Sequence, residues 1–93
     1  MNSEDTNDDL LKLMGRYGYA LMSPRDIATL LAVPSSELPV FCQKLKESDS
    51  PEALAYRSGI ARAKLDLHEN IVKLAVKGSP AAQPLADSFI RDL

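Results

Sequence analysis

One cysteine, one histidine and no tryptophan leave this chain of 93 residues few groups with which to do chemistry. A lone Cys42 excludes an internal disulfide and sets a reducing, cytoplasmic location as the default. Cys42 also falls on the apolar face of its predicted helix, with no histidine or base on that face, which is the setting of a packed structural thiol. His68 has Lys64, Leu65, Ile71 and Val72 at the helical spacings around it, and none of them ligates a metal. It reads as a packing or solvent-edge histidine. Paired carboxylates and a glycine-rich phosphate loop are both missing, so an enzyme has nothing to rest on and no cofactor is implied. No charged segment followed by an apolar run opens the chain, and no apolar run is long enough to span a membrane.

Aromatics and β-branched runs are scarce as well, with two phenylalanines and three tyrosines. Leucine, isoleucine, valine and alanine are plentiful, which favours helices over sheet. The length suits one small domain with a modest core. The formal net charge is -2, so a strongly basic nucleic-acid binder is not signalled. The charge is unevenly spread. Glu4, Asp5, Asp8 and Asp9 precede the first base, and the 9 acids and 11 bases that follow leave +2 on residues 10–93. Residues 1–9 read as an acidic, solvated, flexible tail.

The most informative stretch is Ser23–Leu45, SPRDIATLLAVPSSELPVFCQKL. Ser23 suits an N-cap, Pro24 the first helical position, and Asp26 the positive end of the helix dipole. Ile27, Leu30 and Leu31 give one apolar face, and Val33-Pro34 stops the helix. Ser35 or Ser36 can cap the next helix, whose inward face is Leu38, Phe41, Cys42 and Leu45. Pro39 does no harm in a first turn, so an irregular turn followed by a helix from about Pro39 to Glu47 is expected. The two helices form the outline of a helix-turn-helix. Its apolar residues Ile27, Leu31, Phe41 and Leu45 are expected to meet in a shared interior.

A first helix is expected over about Thr6–Tyr17, capped by Thr6 or Asn7, with Leu10, Leu11, Met14 and Tyr17 inward. Gly15 suggests close helix packing, and Gly18 is read as the left-handed stop. Ser50, Pro51 and Glu52 start a fourth helix that meets no stop before Gly78, about 26 residues or roughly 39 Å. Its main stripe is Tyr56, Ile60, Ala63, Leu67, Ile71 and Leu74. A second stripe is Ala61, Leu65, Val72 and Val76. Two stripes exceed what so small a domain buries alone, which suggests self-association. Its bases Arg57, Arg62, Lys64, Lys73 and Lys77, mixed with Asp66 and Glu69, read as a solvated face. A three-residue break at Gly78 and Ser79-Pro80 folds a fifth helix back as a hairpin, with Ala82, Leu85, Ala86, Phe89 and Ile90 inward. Pro84 is expected to delay its regular part to about residue 84.

On the outer face of the third helix lie Ser36, Glu37, Val40, Gln43, Lys44 and Glu47. Gln43 and Lys44 have the chemistry to reach adenine and guanine edges, and Ser35 and Ser36 to donate to phosphate. Arg25, Lys12 and Arg16 can touch flanking phosphates. Glu37 and Glu47 would repel DNA. The outline therefore fits a DNA reader or a purely structural helix pair serving protein interaction.

Three segments carry a resemblance: SPRDIATLLAVPSSELPVF, AYRSGIARAKLDL and NIVKLAVKGSPAAQPLADSFI. Together they resemble the helix-turn-helix, the long helix and the glycine-centred break of the phage terminase small subunit. That resemblance implies recognition of double-stranded phage DNA, assembly into a homo-oligomer, and a large terminase subunit as partner. It implies DNA contacts from Arg25, Ser35, Ser36, Gln43 and Lys44. It also implies a core and assembly surface built from Tyr56, Ile60, Leu67, Ile71 and Leu74. The sequence departs from the family in its less basic recognition face and in having no room for a terminal β segment. The expected architecture is an all-α domain of five helices, with a helix-turn-helix part at 10–47 and a helical hairpin at 50–93.

Overall fold

A computed structural model describes residues 3–93, with side chains from Asp8 on. Among the described residues the fold is all-α, with no strand. The helices are α1 (Ser3–Tyr19), α2 (Pro24–Leu30), α3 (Leu38–Glu47), α4 (Pro51–Val76) and α5 (Ala82–Arg91). Helix α1 begins within the expected tail. The first two residues of that tail, and the candidate cap side chains of Thr6 and Asn7, lie outside the described residues. The chain packs as two compact units that divide between Ala63 and Lys64, inside α4. The first turns of α4 belong to the core of the first unit.

That core is Met14, Ile27, Leu45, Ala53 and Tyr56, edged by Leu10, Tyr17, Met22, Phe41, Ala55 and Ile60. Helices α1, α2, α3 and the first turns of α4 each contribute to it. Helices α1 and α4 meet backbone to backbone. A Cβ added to Gly18 would overlap the Tyr56 carbonyl, and one added to Gly59 would overlap the Gly15 carbonyl and stand 2.8 Å from the Tyr19 nitrogen. Gly18 is therefore not the expected stop. It lies buried inside α1 because no other residue fits the crossing.

Helix α1 ends instead at Leu21, which takes φ 60. Met22 N–H donates to Tyr17 O at 3.0 Å and Leu21 N–H to Gly18 O at 2.9 Å, which satisfies two terminal carbonyls. Helix α2 ends in the same way at Ala32, φ 56, with Val33 N–H on Ala28 O at 2.9 Å. So α2 stops earlier than Val33-Pro34. Its C-cap Leu31 is 36% exposed and Leu30 58% exposed, while Ile27 and Leu45 are fully enclosed. The shared interior thus holds Ile27, Leu45 and part of Phe41, and leaves Leu31 at its edge.

Ser23 does cap α2, accepting from Asp26 N–H at 3.1 Å, and Ser50 caps α4, accepting from Ala53 N–H at 3.3 Å. Ser35 and Ser36 do not cap α3. They form a 3-10 turn, Ser35–Glu37, without a side-chain capping bond, and α3 follows with Pro39 in its first turn. For a cap at Ser36, Pro39 stands at the third position and has no N–H to give.

In the second unit Gly78, φ 95, follows the end of α4 at Val76, with Ser79 N–H on Leu74 O at 3.0 Å. The break to α5 runs over residues 77–81, longer than expected, and Pro84 is the third residue of α5, where it does not delay the helix. The rings of His68 in α4 and Phe89 in α5 stack with centroids 3.6 Å apart. Ala82 is buried here, but Leu85 and Ile90, expected inward, are 49% and 67% exposed.

Candidate nucleic-acid interface

The outer face of α3 is positioned by what lies behind it. Leu45, 1% exposed, anchors the inner face, and Phe41 and Cys42 are half-buried beside it. Cys42 is thus less enclosed than its apolar setting suggested. The C-terminal end of α3 is held by Arg57, whose guanidinium donates to Leu45 O at 2.9 Å and Ser48 O at 2.6 Å. Asp49 lies 3.9 Å from the same group. A cation on the last carbonyls of a helix is favoured by the helix dipole. Arg57 is therefore a structural clamp and not part of a solvated basic face. Its partners lie at the end of α3 and in the loop after it, so helical spacing within α4 carries no sign of it.

Tyr56, 5% exposed, donates its hydroxyl to Met22 O at 2.7 Å and so ties α4 to the segment that leads into α2. Burial, and to a smaller extent the charge of Cys42, pushes the hydroxyl above its usual 10.0.

All five candidate DNA contacts, Arg25, Ser35, Ser36, Gln43 and Lys44, are exposed. Gln43 and Lys44 come together with Val40 and Glu47 around a shallow pocket of about 320 Å³, which Arg25, Ser35 and Ser36 do not line. Two of these groups have acidic partners. The Gln43 amide donates to Glu47 at 3.2 Å, and Lys44 Nζ stands 3.9 Å from Glu52. Both contacts are exposed enough to be worth under about 1 kcal/mol. Ser35 and Ser36 keep their hydroxyls out of capping.

Of the candidate assembly residues, Tyr56 and Ile60 are spent inside the first unit's core. Leu67 and Leu74 are each 51% exposed, and Ile71 is half-buried. A different grouping was not anticipated. Lys12 and Arg16 of α1 and Arg62 of α4, assigned separately to phosphate contact and to a solvated face, line one groove of about 1010 Å³. Gly15 signalled a close crossing, but nothing in the spacing of α1 shows which bases of α4 flank it.

Among the described residues no cluster of His, Cys, Asp or Glu could hold a metal ion. No helix of the described chain is long and apolar enough to cross a membrane. Comparison with protein-family models, curated proteins and solved structures gave no match to this chain.

Proposed function

We propose that this chain is a non-catalytic DNA-binding protein of phage or mobile-element type, acting as an oligomer in the manner of a small terminase subunit. One observation carries the reading. Helix α3 is anchored by Leu45 and clamped by Arg57, while Val40, Gln43 and Lys44 on its other side, and Ser36 in the turn before it, stand open to solvent. A rigid helix with an exposed polar face is what entry into a major groove requires. Arg25 and the serine hydroxyls of the preceding turn supply phosphate contacts, and Gln43 and Lys44 supply base-edge chemistry. Lys44 exchanges its weak Glu52 contact for a phosphate or a guanine.

The test is fluorescence anisotropy of a labelled mixed-sequence duplex over a salt series. Log affinity should fall linearly with log salt, and Lys44→Ala should make the slope shallower by about 0.9 if Lys44 neutralises one phosphate. No binding at low salt would refute the reading.

A second reading, a protein-interaction module with a purely structural helix pair, is favoured by the apolar surface of residues 64–93. Leu65, Leu67, Val72 and Leu74 are each about half exposed, between 45% and 55%. Apolar surface of this kind marks association. Light scattering should give a mass above one chain, and a monomer at all concentrations would remove the oligomer from both readings.

A further inference from the structure

We propose that the groove beside the α1–α4 crossing is a docking site for an acidic amphipathic helix of a partner protein. The crossing itself makes the groove. Gly15 and Gly59 lack side chains where the helices touch, so the floor there is backbone, continued by Met22, Leu30 and Ala55. Leu30 remains 58% exposed above it. Every charged residue of the lining is basic: Lys12, Arg16 and Arg62. An apolar floor under an all-basic rim fits apolar side chains at i, i+3, i+4 and i+7 with acids on their flanks. A single nucleic-acid strand fits less well, because only Tyr17 and Tyr19 offer bases a stacking surface and the rest of the uncharged lining is aliphatic groups, glycine backbone and Ser58. The site lies in the first unit and does not involve the α3 residues proposed for DNA.

The probe is a fluorescein-labelled peptide with leucine at helical i, i+3, i+4 and i+7 positions and Glu or Asp elsewhere. A lysine-for-acid counterpart and a version with its leucines scrambled serve as comparators. The full chain should bind the acidic peptide with micromolar affinity and bind neither comparator measurably. Arg16→Glu and Arg62→Glu, both at exposed positions, should each weaken the acidic peptide by about tenfold with unchanged helicity. Lys44→Ala should leave peptide binding intact, which separates this site from the DNA reading. Equal binding of the lysine peptide would overturn the proposal. So would acidic binding no tighter than millimolar, or Arg62→Glu abolishing duplex binding while sparing the peptide.

Discussion

Adding one methyl group to Gly18 should do far more damage than adding it to Gly15, three residues away on the same helix. In α1 both substitutions to alanine gain about 1 kcal/mol of helix propensity. At Gly15 the nearest atom to the new Cβ is the Ala55 carbonyl oxygen at 3.8 Å, an ordinary contact. Gly15→Ala should therefore be neutral or stabilising by up to about 1 kcal/mol. At Gly18 the Cβ meets the Tyr56 carbonyl well inside contact distance, and the Ile60 nitrogen at 3.1 Å. Both are backbone atoms of a helix and cannot rotate away, so α1 and α4 must part. Parting loosens Met14 and Tyr56, which are 2% and 5% exposed, from the core they share. Overpacking of this kind costs about 1–3 kcal/mol or more, which outweighs the propensity gain. The propensity gain is common to both, so the two variants should differ by the overpacking cost, about 1–3 kcal/mol or roughly 4–24 °C in melting temperature for a domain of this size. Thermal melts followed by circular dichroism read the difference directly. Equal melting of the two variants would refute the backbone-to-backbone crossing.

Four further outcomes follow from single groups. Arg57→Ala removes both donors to Leu45 O and Ser48 O and should lower stability by about 2 kcal/mol in urea melts; Arg57→Lys should recover less than half, because one ammonium cannot span both carbonyls. Tyr56→Phe leaves the Met22 carbonyl without its donor and should cost about 1–2 kcal/mol near neutral pH. Since the folded Tyr56 hydroxyl is raised above 10.0, its contribution is complete below that pH and is lost as pH climbs from there through the raised value, so stability should decline over that range less steeply in Tyr56→Phe than in the parent chain. Ala32→Gly relieves a left-handed backbone at an exposed C-terminal turn and should raise stability by a net gain of up to about 1 kcal/mol, the loss of chain entropy offsetting part of the relief. Leu67→Asp and Leu74→Asp, at half-exposed positions, should reduce the mass seen by light scattering without lowering helicity; an unchanged mass would place the self-association surface elsewhere.

The helices were legible because their signals are local. Ser23-Pro24 and Ser50-Pro51 put a hydroxyl and a fixed φ at adjoining positions, and both starts lie where those residues require. The irregular entry to α3 was likewise written in Pro39. The ends were harder to read, because two helices close on Leu21 and Ala32 in a conformation for which glycine is the usual marker. Gly18 misled for the same reason: its use is set by Tyr56, a residue far along the chain. What sequence spacing could not carry is tertiary pairing. Arg57 reads as one base among several until the carbonyls at the end of α3 are beside it. The acidic partners of Gln43 and Lys44 moderate a face that residue types alone made more open. The joint groove of Lys12, Arg16 and Arg62 depends on a crossing angle that no single helix encodes.

The central claim is that the outer face of α3 meets duplex DNA. Amide chemical shifts recorded while a mixed-sequence duplex is titrated into the isotope-labelled chain test it most directly. The account predicts that the largest changes fall on Ser35, Ser36, Val40, Gln43 and Lys44, with Arg25 next, and that they fade as salt is raised. Shifts confined to Lys12, Arg16 and Arg62, or a spectrum that DNA does not move at low salt, would contradict it.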